Sequence, residues 1–177
     1  MPSVLQSKPA LITIGALLLL VHSALFRWPA ERQVRAKQES LLVAVQDASW
    51  GRCEKLISSS YQDRWGWNHD DIVLVMKDVR SQFMVLTLTM NEPVQSVAGG
   101  VGTVNTGIRV SGRPLGLGSG IQSRLNRVKK PATFTWTKES FWPWSWRLTK
   151  IDHSDVDVPE TYQPGDLVNL SKGDFNF

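Results

Sequence analysis

Residues 68–90, with the sequence NHDDIVLVMKDVRSQFMVLTLTM, decide the fold because the apolar period changes within them. The first part carries apolar residues at helical spacing, namely Ile72, Met76, Val79 and Phe83. The second part alternates apolar with polar residues, and one face of this alternation holds Met84, Leu86, Leu88 and Met90. The stretch therefore predicts a helix that runs directly into a β-strand.

The start of this helix is marked by Asn68. A short polar side chain at this position accepts backbone N–H groups, and Asp71, three residues later, completes a capping-box pattern. Asp70 and Asp71 also favour the positive end of the helix dipole. A helix start thus explains the group NHDD and leaves YQDRWGW, residues 61–67, as the chemically rich part of the preceding turn.

Two further helices are predicted upstream. In ERQVRAKQESLLVAVQDASWG, residues 31–51, one helical face collects the apolar side chains Val34, Leu41, Leu42, Val45 and Ala48. Gly51 is placed to end this helix. The next segment, CEKLISSSY at residues 53–61, predicts a short second helix.

The remainder of the domain has the pattern of antiparallel strands. Asn91-Glu92-Pro93 is expected to end the first strand, and Gly99-Gly100 predicts a bulge or bend. The glycine-rich RPLGLGSG, residues 113–120, lacks the spacing of a phosphate-binding loop and predicts a flexible connection. The closing strands have apolar faces formed by Ala132, Phe134 and Trp136 and by Trp146 and Leu148. Three helices followed by strands predict an α+β fold, with the helices packed across one strongly curved antiparallel sheet.

The turn between the closing strands is rich in tryptophan. FWPWSWRL, residues 141–148, holds three tryptophans around Pro143. Two interpretations stay open: a tight hairpin whose indoles pack on the sheet, and an aromatic rim for a ligand or a membrane surface.

An apolar segment precedes the domain. From Pro9 to Phe26 there is no Asp, Glu, Lys or Arg, and these 18 residues nearly cross a hydrocarbon core of about 30 Å as a helix. We expect a short tail over residues 1–8, a transmembrane or signal-anchor helix over 9–27, and a linker over 28–34. The basic flank after the apolar run favours a cytoplasmic domain, whereas the signal-like order favours an extracytoplasmic, periplasmic one, which we adopt.

Charge and cysteine content restrict the function classes. The 177-residue chain has a formal net charge of +4, too modest to indicate nucleic-acid binding. The single cysteine, Cys53, has no partner for an intrachain disulfide and no metal-ligand spacing around it, so we expect no metal and no other cofactor. The basic segment 109–130 precedes an acidic tail over 154–177, expected to be loose. The basic segment is predicted to meet either this tail or anionic lipid.

The helices, the YQDRWG turn and the closing strands TFTWTKESFWPWSWRLTKID, residues 133–152, together resemble the nuclear transport factor two-like superfamily. This superfamily includes polyketide cyclases, ketosteroid isomerases and scytalone dehydratase. The resemblance covers residues 35–153 and is nearest to small bacterial members with an N-terminal membrane segment. It implies a cone-shaped α+β domain with a pocket at its open end, and a homodimer through the sheet.

The same resemblance places the candidate site residues near the mouth of the cone. Tyr61, Trp65, Trp67 and Trp136 are the expected ligand-binding residues. Asp63 and Tyr61 are the candidate catalytic pair, because isomerase-like chemistry needs a carboxylate base and a donor for the developing oxyanion. The predicted strand faces add no inward Asp or His to this pair. His69 and His153 are explained equally well by a helix start and a strand end.

Two functions from different classes follow. The first is a membrane-tethered, non-catalytic module of the cell envelope that binds a small apolar ligand or another envelope protein. The alternative is a small isomerase- or cyclase-like enzyme that uses Asp63 as the base and Tyr61 as the polarising donor. The two differ in geometry, because only the enzyme requires Asp63 and Tyr61 to converge within a pocket.

Overall fold

The computed structural model describes residues 13–15 and 29–173 of the chain. The helices are α1 (Ala30–Gln46), α2 (Trp50–Leu56), α3 (His69–Ser81), α4 (Gly118–Arg127) and α5 (Asp166–Gly173). The strands are β1 (Phe83–Ala98), β2 (Val101–Pro114), β3 (Ala132–Lys138) and β4 (Trp146–Asp152). They form one antiparallel sheet in the order β1-β2-β3-β4. The predicted α+β class is confirmed.

The predicted membrane segment lies largely outside the described residues, since only 13–15 of residues 9–27 are described. Across those three residues and 29–173, no helix has both the length and the apolar character needed to cross a bilayer. Helix α1 begins at Ala30, within the stretch expected to be a linker.

The end of α1 differs from the prediction. Val34, Leu41 and Val45 are buried as expected, but Ala48 lies beyond the helix with a φ of +52° and is exposed. Its N–H donates to the carbonyl of Val45, and the next N–H reaches back to Ala44, so the helix ends in a Schellman-type turn with alanine in place of the usual glycine. The prediction that Gly51 ends α1 is wrong, because Gly51 lies within α2. That helix runs from Trp50 to Leu56 instead of over the predicted residues 53–61.

The start of α3 confirms the predicted cap. The side chain of Asn68 accepts hydrogen bonds from the N–H groups of Asp70, at 2.8 Å, and Asp71, at 3.1 Å. In return, the Asp71 carboxylate accepts from the N–H of Asn68 at 3.1 Å, which completes the capping box. The helix ends at Ser81, before Phe83, because Phe83 is already the first residue of β1.

The beginning of β1 carries a bulge. Leu86, Leu88 and Met90 pack on the core side of the strand, as the alternation predicts. A shift of register between Phe83 and Val85 breaks this alternation, and Met84 is 52% exposed. The prediction that Met84 shares the buried face is therefore wrong.

β1 also continues past its predicted end. A second register shift, between Asn91 and Val94, takes up Pro93 and gives Glu92 a φ of +46°, so the strand extends to Ala98. The predicted bend at Gly99-Gly100 is instead the two-residue turn of a long hairpin. Both glycines have positive φ, +56° and +80°, the conformation that suits such a turn to the twist of its strands.

Helix α4 was missed in the sequence, where residues 113–120 were expected to form a flexible connection. At its start the chain passes so close to the backbone of Gln82 that a Cβ on Gly118 would lie 2.1 Å from the Gln82 carbonyl oxygen. Near its end, Asn126 donates to the carbonyl of Val110 at 2.7 Å and accepts from its N–H at 2.9 Å. The pair of bonds holds α4 on the part of β2 beyond its pairing with β3.

The core joins the sheet to α1 through two buried tryptophans. Trp136 and Trp146 are 0% and 1% exposed, and each indole N–H donates at 3.0 Å to a glutamine of α1. The acceptors are Gln38 and Gln33, which are themselves buried. A buried indole needs a partner for its N–H, and these glutamines provide it. The apolar faces predicted for β3 and β4 are thus confirmed.

The described part of the acidic tail packs against α3, where the sequence predicts a loose segment. Asp78 of α3 is fully buried, and its carboxylate accepts hydrogen bonds from Gly165 N–H and Val168 N–H, both at 2.8 Å. The hydroxyl of Tyr162 donates to the same carboxylate at 2.6 Å. The acceptor that starts α5 therefore comes from α3 rather than from a residue next to α5 in the sequence.

Candidate functional site

The turn that the sequence singled out is organised by Asp63. One carboxylate oxygen of Asp63 accepts hydrogen bonds from the N–H groups of Trp65, at 2.9 Å, and Trp67, at 3.0 Å. The other oxygen accepts from the hydroxyl of Tyr61 at 3.0 Å. Asp63 is only 8% exposed, so these donors surround a nearly buried carboxylate. The structure therefore brings Asp63 and Tyr61 together, as hydrogen-bonded parts of one turn.

Tyr61 is held in its neutral form. Its side chain is 2% exposed, and burial together with the adjacent Asp63 carboxylate raises the pKa of its hydroxyl well above the usual value. The hydroxyl already donates to Asp63, so this proton is not directed at a substrate. As an oxyanion donor, Tyr61 would have to give up that bond.

A cavity of about 430 Å³ lies between α4 and the sheet, and Trp65 is one of the residues that line it. Its apolar walls include Ile108, Leu125, Val128, Ala132, Ile151 and Val156. Its polar groups include Asn126, Arg109, Lys130 and His153. An apolar cavity with a few polar groups is the usual form of a small-molecule site.

The cavity exists because the hairpin strands β1 and β2 extend beyond the end of the neighbouring strand β3. β3 begins at Ala132, which pairs with Thr106, whereas β2 continues to Pro114. Beyond Thr106 the neighbouring layer is α4 instead of a strand, and the space between them stays open.

The sequence-predicted ligand residues fall in different places. Trp65 lines the cavity, whereas Trp67 borders a shallower depression of about 390 Å³ that it shares with Tyr162 of the tail. Tyr61 and Trp136 are buried, at 2% and 0% exposure, in the turn and in the core. Asp63 is not among the residues that line the cavity.

The polar side chains of the cavity differ in whether they already have hydrogen-bond or ion-pair partners. His153 uses both ring nitrogens, one bonded to the carbonyl of Lys130 and the other accepting from the N–H of Asp155, each at 3.0 Å. Lys130 forms an ion pair with Asp155 at 2.7 Å. Arg109 is exposed and has no hydrogen-bond or ion-pair partner among the described residues. Among the described residues that line the cavity, Arg109 is therefore the cation left to meet a ligand.

The basic segment also meets its own tail, one of the two outcomes the sequence left open. Besides the Lys130–Asp155 pair, Arg124 donates to the carbonyl of Asp157 at 3.1 Å. The hydrogen bond from Lys130 keeps the pKa of the Asp155 carboxyl below its usual value. His69, the other histidine weighed in the sequence, lies at the start of α3, where it contacts Asp70 at 2.8 Å.

Most of the cavity residues were not recognised in the sequence. Leu125, Asn126 and Val128 belong to α4 or the segment just after it, and that helix was itself missed. A spacing of apolar residues at Ile121, Leu125 and Val128 was the available signal, obscured by the glycines that precede it. Within residues 13–15 and 29–173, no cluster of three His, Cys, Asp or Glu side chains is arranged to hold a metal ion.

Comparison with known proteins supports the fold. No family model matches the chain, and no curated protein sequence matches it. Among solved structures, a nuclear transport factor 2-like protein of unknown function from Pseudomonas putida aligns with a TM-score of 0.52 and 12% identity, covering 76% of this chain and 92% of that one.

Two further structures align similarly. A candidate dehydratase of the nuclear transport factor 2-like family from Streptomyces avermitilis gives a TM-score of 0.51 at 13% identity, over 69% of this chain and 93% of that one. Bd1075 of Bdellovibrio bacteriovorus gives 0.52 at 11% identity, and the match spans 71% of this chain but only 41% of Bd1075. The domain therefore has the nuclear transport factor 2-like fold, and at these identities the likeness concerns the fold alone.

Proposed function

We propose that this protein is a membrane-tethered, non-catalytic binding module of the cell envelope, and that it takes a small, largely apolar ligand into the cavity beside α4. The observation that carries this proposal is the cavity itself, with its apolar walls and the exposed cation Arg109, which has no ion-pair partner among residues 13–15 and 29–173. The tether is proposed from the uncharged run Pro9–Phe26.

The chemistry of the lining defines the class of ligand. A volume of about 430 Å³ lies within the range of small-molecule sites. In the described part of the chain, the residues that line the cavity include the cations Arg109 and Lys130 and no carboxylate. A ligand with an apolar body and one anionic or hydrogen-bond-accepting group suits this arrangement best.

The engagement of Asp63 supports a binding role over the enzyme alternative. A general base must reach the substrate proton with a free lone pair. The carboxylate of Asp63 accepts hydrogen bonds from Trp65, Trp67 and Tyr61. Asp63 is also not among the residues that line the cavity. The isomerase-like alternative would need this turn to open before it could act.

The proposal is tested with anilinonaphthalene sulfonate, a fluorescent probe with an apolar body and one anionic group. We expect saturable binding to the full-length protein in detergent, largely abolished by Leu125→Trp, which fills the cavity. The matched control, Val94→Trp, adds the same side chain at a site that is 66% exposed and does not line the cavity. Circular dichroism of all variants verifies the fold.

A second pair of variants examines the cation. Arg109→Gln should weaken binding of the probe several-fold, whereas Arg113→Gln, an exposed arginine of the same strand, should not. Equal binding by the wild type, Leu125→Trp and Val94→Trp would place the probe elsewhere and refute the cavity as the site.

A further inference from the structure

The hairpin tip between β3 and β4 displays two large aromatic rings. Phe141 and Trp142 are 73% and 55% exposed, and their ring centroids lie 5.0 Å apart. Pro143, the next residue along the loop, is buried. Large apolar side chains grouped at a protruding tip mark an interaction surface more often than isolated ones do.

This loop is held in shape by its own hydrogen bonds. The hydroxyl of Ser145 is within bonding distance of the carbonyls of Ser140 and Trp142, both at 2.8 Å, and accepts from the N–H of Ser140 at 3.1 Å. At its base, the N–H of Glu139 donates to the carbonyl of Ser145 at 3.1 Å. The rings are thus presented on a pre-organised loop, which lowers the entropic cost of any contact they make.

The loop lies near the start of α1, the first helix after the N-terminal apolar segment in the sequence. Trp146, directly after the loop, donates its indole N–H to Gln33, in the first turns of α1. One residue further, Val34 fits against Gly102, beside the tip of the long hairpin, where a Cβ would approach its methyl to 2.6 Å. The uncharged run ends at Phe26, four residues before α1 begins at Ala30.

We propose that the Phe141-Trp142 loop inserts into the interfacial layer of the bilayer to which the N-terminal segment tethers the protein. This inference rests on the tether of the proposed function. It fixes the orientation of the domain, because β3 and β4 run from the loop at Lys138 and Trp146 to the cavity at Ala132 and His153. The cavity would then open away from the lipid.

The size of the patch favours lipid over a protein partner. One fully exposed aromatic side chain supplies about 150–250 Å², so the partly exposed pair offers less than about 300–500 Å². A stable protein interface needs about 800 Å² from each partner. A bilayer needs no such area, because the tether already keeps the loop at the surface and a weak contact suffices.

The residues around the loop fit an interface with lipid head groups. Tryptophan and phenylalanine favour this layer, and cations there meet anionic lipids. Lys138 and Arg147 stand on the strands next to the two ends of the loop, and neither has an ion-pair partner among the described residues. The nearby Glu139 carboxylate accepts from the hydroxyl of Ser58 at 2.6 Å.

The test uses the full-length protein in vesicles of phosphatidylcholine and phosphatidylglycerol, with a nitrobenzoxadiazole label on Trp142→Cys. Leu117→Cys is the matched control, since Leu117 is also an exposed apolar residue, at 59%, but lies beyond the far end of β2. The native Cys53 is 0% exposed and stays unlabelled. We expect phosphatidylcholine with nitroxide (doxyl) groups on its acyl chains to remove most of the fluorescence of the label at position 142 and little at 117.

Flotation of the vesicles separates the two levels of the proposal. If the protein floats and the label at position 142 is not quenched, the loop does not enter lipid and the inference is overturned, as it would be if the rings covered another protein. If the protein does not float at all, the proposed membrane tether is wrong, and the inference that rests on it is overturned together with it. A second variant, Phe141→Cys, repeats the measurement with Trp142 in place, so that the result does not depend on one substitution.

Discussion

Asp63 has a structural task that its chemistry explains. A nearly buried carboxylate is costly unless donors surround it, and here two backbone N–H groups and the Tyr61 hydroxyl do so. The same bonds fix the turn that carries Trp65 to the cavity wall. Asp63 therefore acts on the cavity through the backbone it holds.

We expect Asp63→Ala to lower the free energy of unfolding by about 2–3 kcal/mol, because it leaves buried donors without an acceptor. Asp63→Asn keeps one carbonyl acceptor for the two N–H groups and should cost less. Asp70→Ala, at an exposed aspartate of the α3 start, is the control. Urea unfolding followed by tryptophan fluorescence gives the comparison, and an Asp63→Ala protein as stable as the wild type would contradict this role.

The buried tyrosine predicts a loss of stability in base. Burial and the Asp63 carboxylate raise the pKa of Tyr61, so the folded protein keeps its proton where the unfolded chain, at about pH 10, loses it. The contribution of Tyr61 to the free energy of unfolding is therefore fully present below about pH 10. Above that pH the free energy of unfolding falls, by up to about 1.4 kcal/mol per pH unit from this one group. Urea unfolding between about pH 9 and about pH 11 measures the slope.

Tyr61→Phe removes the group that titrates and should flatten this slope, although the protein starts from a lower stability at neutral pH. Tyr162, whose pKa is also raised by burial and by the Asp78 carboxylate, contributes in the same direction. An unchanged slope in the Tyr61→Phe, Tyr162→Phe double variant would assign the loss of stability to other groups.

At the scale of elements, α5 depends on an acceptor from α3. Removing the Asp78 carboxylate should release the helix, since the N–H groups of Gly165 and Val168 and the Tyr162 hydroxyl lose their common partner. We expect Asp78→Ala to speed hydrogen exchange and proteolysis after Pro159, with a loss of global stability of about 3 kcal/mol or more. Asp155→Ala, which breaks an exposed ion pair with Lys130 and a hydrogen bond from Ser154, should change little.

The elements also show what the sequence could predict. The period of residues 72–83 and the capping pair Asn68 and Asp71 predicted α3, because local spacing and local hydrogen bonds determine a helix start. The faces of β3 and β4 followed from alternation alone. These features depend on residues that are close together in the chain, so they can be recognised in a single sequence.

The errors arose where distant contacts decide. Met84 turns outward because of a bulge defined by its pairing with β2, and α4 is seated by the approach of Gly118 to Gln82 and by Asn126 on Val110. Such contacts leave little trace in a single sequence. Most of the residues that line the cavity were missed for the same reason, since the cavity depends on β3 stopping short of β2.

At the scale of the whole molecule, Cys53 provides a reporter of global unfolding. Its thiol is 0% exposed in the core, and burial raises its pKa to about 11, so thiolate is scarce at neutral pH. We expect labelling by a thiol reagent at neutral pH to be slow in the native protein and complete in denaturant. Fast native labelling, at a rate unrelated to stability, would show that α2 opens locally.

The homodimer through the sheet remains a prediction from the resemblance. Light scattering of the detergent-solubilised protein, corrected for bound detergent, measures the number of chains. A mass of one chain across a wide concentration range would contradict the prediction.

The two hydrogen bonds between the Asn126 side chain and the backbone of Val110 have a consequence for solubility. Where β3 stops, β2 leaves an unpaired edge, and such an edge invites another strand to add to the sheet. One amide side chain, with a donor and an acceptor in line, occupies this edge as a single residue of a strand would. The opening that makes room for a ligand is thus also guarded against aggregation, by a residue that lines the cavity itself.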